Sequence, residues 1–163
     1  VLNMGSTIVG LGNNFATTEA EILEMSMRIA GAGRQAGLSE SDVMGLSAAM
    51  SSVGIEAEAG GTAMSLTMKR IGKEVDSNGG KLDTFARIAG TNAESFSKAW
   101  KDDAAGALTA FVAGLDDAGQ SGESVNAILS ELGITGIREA DALLRLSGNT
   151  EGLAEALAMG NAE

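Results

Sequence analysis

At 163 residues the chain is long enough to bury one hydrophobic core and, by size, to form one domain. It has no Cys and no His, which removes disulfides, thiol nucleophiles, ordinary zinc sites and histidine acid–base chemistry together. A net charge of −11 sets the chain as a whole against nucleic acid, whose phosphates need clustered Lys and Arg.

The charge is uneven. Residues 1–68 carry seven acids and two bases, residues 69–101 four acids and seven bases, and residues 102–163 eleven acids and two bases. The locally basic middle reads as a solvated face with intrachain pairing. Hydrophobic residues make up 44% of the chain, much of it alanine, and aromatics only 3% (Phe15, Phe85, Phe96, Phe111 and Trp100). Such a core is thin and depends on close approach of helices. No calcium-loop pattern is present, so no metal or other cofactor is expected.

Residues 1–18 hold no charge, but Asn3, Ser6, Asn13, Asn14 and three glycines make "VLNMGSTIVGLGNNFATT" too polar to span a bilayer. It also lacks the basic start of a signal peptide. The apolar beginning at Val1 suggests a fragment of a longer protein.

Thr18-x-x-Glu21 is a capping box that opens a helix ending near Gly37, with Ile22, Met25, Ile29, Gly33 and Ala36 on its apolar face. Ser39 with Asp42 opens the next, on which Val43, Leu46, Met50 and Val53 recur until Gly54 takes the C-cap position. A third helix runs from about Ala59 to Val75 with Met64, Met68, Ile71 and Val75 on one stripe, and "DSNGGK" (Asp76 to Lys81) is a turn.

Leu82 to Ala89 is a short helix closed by Gly90. Thr91-x-x-Glu94 reads as a further capping box before Phe96 and Trp100, and Asp102 or Asp103 caps a helix carrying Leu108, Phe111, Val112 and Leu115. The polar run Asp116 to Glu123 reads as a loop. Helices follow over Ser121 to Leu132, Gly136 to Ser147 (apolar at Ile137, Ala140 and Leu144) and Thr150 to Met159. Twenty-three glycines and no proline fit this punctuation. The fold class expected is all-α, a compact multi-helix domain of about nine short helices with Gly-rich turns, spanning 1–163 with candidate sub-units 1–76 and 81–163. A compact domain of this length has a radius of gyration near ~15 Å, against a length of ~245 Å for one continuous helix.

The stretch "SSVGIEAEAGGTAM" (Ser51 to Met64) holds two nearby acids and a glycine pair. Glu56 and Glu58 are close in sequence, but residues two apart do not share a helix face. Acids near a helix N-terminus are also favourable without any catalytic role. Gly60-Gly61 before Thr62 resembles part of a phosphate loop, yet no Lys follows and no strand precedes it. The pair is better read as a place where two helix backbones approach closely. Met25, Met27, Met44, Met50, Met64 and Met68 lie on the first three helices, as core or as an adaptable binding groove. Lys69, Arg70 and Lys73 lie on one side of the third helix, where solvation is the simpler reading.

Four ordered blocks, "LGNNFATTEAEILEMSMRIAGAG", "AGLSESDVMGLSAAMSSVGIEAEAGGTAM", "FARIAGTNAESFSKAW" followed by "DDAAGALTAFVAGL", and "ELGITGIREADALLRLSGN", resemble the shared region of tailed-phage tail tape measure proteins, over nearly the whole chain. The G-I-x-x-x-x-G-G-T-A pattern is similar to the glycine corner of that family, here Gly54, Ile55, Gly60, Gly61, Thr62 and Ala63. The resemblance implies a structural, non-enzymatic protein of the virion tail. Such a protein is assembled in the bacterial cytoplasm, sets tail length and leaves the tube ahead of DNA. Its implied partners are further copies of itself, tail tube and tail-tip proteins and tail assembly chaperones, without stable nucleic-acid binding by this segment. Two other readings are a peptidoglycan-cleaving tail domain using Glu56, Glu58 or Glu94, and a protein-binding module using the Met-rich helices.

Overall fold

Helix ends in this chain are set by side chains that cap and by glycines that turn left-handed. In the computed structural model, which describes residues 7–12 and 18–162, every regular element is helical. The helices are α1 (residues 7–12), α2 (Glu19–Ala36), α3 (Glu40–Ser52), α4 (Ala57–Ser77), α5 (Leu82–Ile88), α6 (Ala93–Asp102), α7 (Ala104–Gln120), α8 (Val125–Glu131), α9 (Ile137–Ser147) and α10 (Thr150–Ala162). Phe15 and most of the uncharged N-terminal stretch lie outside the described residues. No helix among the described residues is long and apolar enough to cross a membrane.

The caps explain most boundaries. The Thr18 hydroxyl accepts from the Glu21 N–H at 3.2 Å, and Ser39 and Asp42 form a complete capping box. Asp103 caps α7, accepting from the Gly106 N–H at 3.1 Å.

Several expected boundaries move, each for a local reason. The cap of α6 is Asn92, which accepts from the Ser95 N–H at 2.8 Å, and not Thr91. The Thr91 N–H is committed to the Ala86 carbonyl at 2.9 Å, closing α5 around left-handed Gly90. The run Asp116 to Glu123 is not a loop, since α7 continues to Gln120. Leu115 and Ala118 are buried, and the Gln120 amide donates to the Asp116 carboxylate at 2.8 Å on the outer face. The helix expected from Ser121 starts only at Val125, because left-handed Gly122 turns the chain and Ser124 supplies the cap. On α9 the expected stripe is wrong at Ile137, which is 88% exposed. The buried stripe is Ala142, Leu143 and Leu146, the side that meets α4 and α7.

Helix α2 packs against both α3 and α4, α3 also packs against α10, and α4 also packs against α9. Helix α9 reaches α7, which gathers α5, α6 and α8. Helix α9 rests on α4 and α10 on α3, so contacts join elements on the two sides of the turn near 76–81. One apolar core runs through these contacts. Met25, Met44, Met50, Met64 and Met68 are buried in it, so five of the six methionines noted on α2, α3 and α4 are core, whereas Met27 is exposed. Phe85 and Phe111 meet tilted at 5.3 Å between ring centroids, and Phe96 stacks near Trp100 at 6.5 Å. The buried hydroxyl of Ser26 donates to Ser47, which donates to the Val43 carbonyl at 2.8 Å, so the polar atoms between α2 and α3 are satisfied.

Glycines let this alanine-rich core close. A Cβ at Gly33 would lie 2.8 Å from the Val43 side chain, and one at Gly45 would lie 2.9 Å from the Ala156 carbonyl on α10. At Gly114 the corresponding position is already filled by the Ile88 carbonyl oxygen at the end of α5. Helix backbones therefore touch where larger side chains would hold them apart.

Candidate functional site: the glycine corner

The corner joining α3 to α4 begins with the end of α3. Gly54 is left-handed at φ +84°, the Gly54 N–H donates to the Ser51 carbonyl at 3.0 Å, and the Ile55 N–H reaches back to the Met50 carbonyl at 3.1 Å. This is the closing pattern that glycine favours after a helix, here one residue beyond the Val53 C-cap. Ile55 is 6% exposed and tucks into the core. Glu56 then takes extended dihedrals as the N-cap of α4 without capping through its side chain.

Helix α4 starts at Ala57, two residues before the expected Ala59, so Gly60 and Gly61 sit inside its second turn. Both are buried. A Cβ at Gly60 would lie 2.7 Å from the Met25 sulfur and 2.9 Å from Ile55 Cγ2, and one at Gly61 would lie 2.7 Å from Arg28 Cβ. The pair is therefore the contact surface on which α4 meets α2. Thr62, grouped with the turn in the sequence, is exposed on the outer side of α4 and takes no part in either contact.

The carboxylates of the corner lie in open water. Glu56 pairs with Arg138 of α9 at 3.3 Å, and its side chain is 80% exposed. Glu58 is exposed near the start of α4, and Glu94 is exposed in the first turn of α6, on a different element. Glu21 accepts from the Ser51 hydroxyl at 3.0 Å, and Glu24 lies 3.8 Å from Arg28. A shallow groove of about 430 Å³ runs between α2 and the corner with Glu21, Glu24, Glu56 and Glu58 on its rim. Among the described residues no Asp or Glu is buried. No group of acids among the described residues is arranged to hold a metal ion.

Arg28 and Arg138 complete the corner, and sequence reasoning did not single out either. Arg28 supplies the surface under Gly61, and Arg138 reaches Glu56 from 82 residues away. The i,i+4 spacing of Glu24 and Arg28 was the one available signal for the first. The arrangement holds α4 against α2 at a close approach and ties the corner to α9 through Arg138. Comparison with protein-family models, curated proteins and solved structures finds no match to the chain.

Proposed function

We propose that this chain is a structural segment of a tail tape measure protein of a tailed phage or prophage. In this reading it acts in the virion tail without catalysing a reaction, in contact with other tail proteins and with further copies of itself, and contributes to setting tail length. The reading rests on the four ordered sequence blocks and on one structural observation. The corner that resembles that family's, Gly54, Ile55, Gly60 and Gly61, closes α3 and seats α4 on α2. Gly60 and Gly61 are buried against α2 and so present no open cradle to a ligand.

The test is genetic and visual. Deleting this segment in frame from the phage or prophage that encodes it should give absent or shortened tails in electron micrographs. Tails of unchanged length and infectivity would sink the proposal.

A further inference from the structure

Unpaired positive charge gathers at one groove. It lies where the C-terminal ends of α2 and α6 meet α4, has a volume of about 460 Å³, and is lined by Lys69, Gly72, Lys73 and Asp76 of α4 and by Trp100 and Lys101 of α6, three cations against one carboxylate. Lys69, Lys73 and Lys101 are exposed, and no ion pair among the described residues involves them. Of the seven bases between residues 69 and 101, only Arg87 is paired in that way, so the expected intrachain pairing of this basic stretch is largely missing. Trp100 is 5% exposed and forms a wall instead of a stacking platform. Gly72 adds a second observation. A Cβ there would meet no heavy atom within 4 Å, so no contact inside the chain calls for glycine at this interior position of α4. Mid-helix Gly31 is equally open and lines none of these grooves, so Gly72 counts only together with the lysines around it.

We propose that this groove docks helix α10 of a second copy of the chain. The outer face of α10 carries exposed Glu151 and Glu155, in no ion pair among the described residues, with exposed Ala154 and Ala158 beside them. Glu151 and Glu155 are four residues apart, as are Lys69 and Lys73, which gives each pair the same axial spacing of about 6 Å. The small alanines let the docked helix come close over Gly72, and its carboxylates meet the lysines. A net charge of −11 disfavours nucleic acid as the occupant. Groove and α10 are different patches, so the contact is head-to-tail and adds copies in a row or closes into a ring.

Sedimentation velocity on the purified chain tests this directly. Association should rise with protein concentration at about 50 mM salt and fall as salt screens the charges. The double variants Lys69→Glu/Lys73→Glu and Glu151→Lys/Glu155→Lys alter exposed positions only, and each alone should associate at least about tenfold more weakly. Mixed together they should co-assemble, since each groove then faces a helix of opposite charge. A wild-type chain that stays monomeric, as it would if another acidic protein or a nucleic acid filled the groove, overturns the proposal. So does a mixture that fails to co-assemble, or association that survives both double variants. The contact needs only the folded domain, so it can fail while the tail reading holds, and the reverse.

Discussion

Gly114→Ala should lower the stability of the domain by about 3 kcal/mol or more. The sign is informative, because alanine in a helix interior otherwise gains roughly 1 kcal/mol over glycine. Here the added methyl would collide with the Ile88 carbonyl oxygen, a backbone atom at the end of α5 that cannot rotate away as a side chain can. Relief requires α5 and α7 to separate. Phe85 and Phe111, both fully buried, belong to the same two helices, so separation also loosens their packing. Urea denaturation followed by circular dichroism should show a lower midpoint at unchanged slope. A variant as stable as the wild type would mean that α5 and α7 do not meet at this register.

Gly61→Val should cost about 2–3 kcal/mol by the same kind of overpacking. Its Cβ would lie 2.7 Å from Arg28 Cβ and 3.1 Å from Arg28 Cδ. The first of these atoms is fixed to the α2 backbone, so α2 and α4 must part. Gly60→Ala should be milder, because the nearest atom there is the sulfur of a flexible Met25 side chain. This ordering separates a packing role from a turn role, since neither glycine has a positive φ.

What was legible in the sequence was local. Thr18, Ser39 and Asp103 cap the helices they were expected to cap, and Gly37, Gly54 and Gly90 are left-handed at or just past helix ends. These signals act within four or five residues, so they survive without knowledge of the fold. The misses have the opposite character. The apolar spacing of Ile137, Ala140 and Leu144 is as regular as that of Leu143 and Leu146, and only the placement of α4 and α7 decides which stripe is buried. Asp116 and Asp117 read as loop by their polarity, and the buried Leu115 and Ala118 on either side of them are what hold the stretch in the helix.

At the corner, the close approach at Gly60 and Gly61 was legible from the small side chains, whereas Thr62 was carried along by its place in the pattern and faces solvent. Arg138, and the contacts of Gly45 and Gly114, come from elements distant in sequence, and no local spacing announces them.

The proposal that the corner packs helices and does no carboxylate chemistry is tested most directly by paired denaturation curves of Gly61→Val and of Glu56→Gln/Glu58→Gln, with peptidoglycan hydrolysis measured alongside. The glycine variant should lose about 2–3 kcal/mol. The double glutamine variant should stay within about 0.5 kcal/mol of wild type, because the Glu56–Arg138 pair is exposed. The opposite result is a glycine variant of wild-type stability, or a glutamine variant that keeps its stability while a peptidoglycan-cleaving activity of the wild-type chain disappears. Either outcome would contradict the structural reading of this corner.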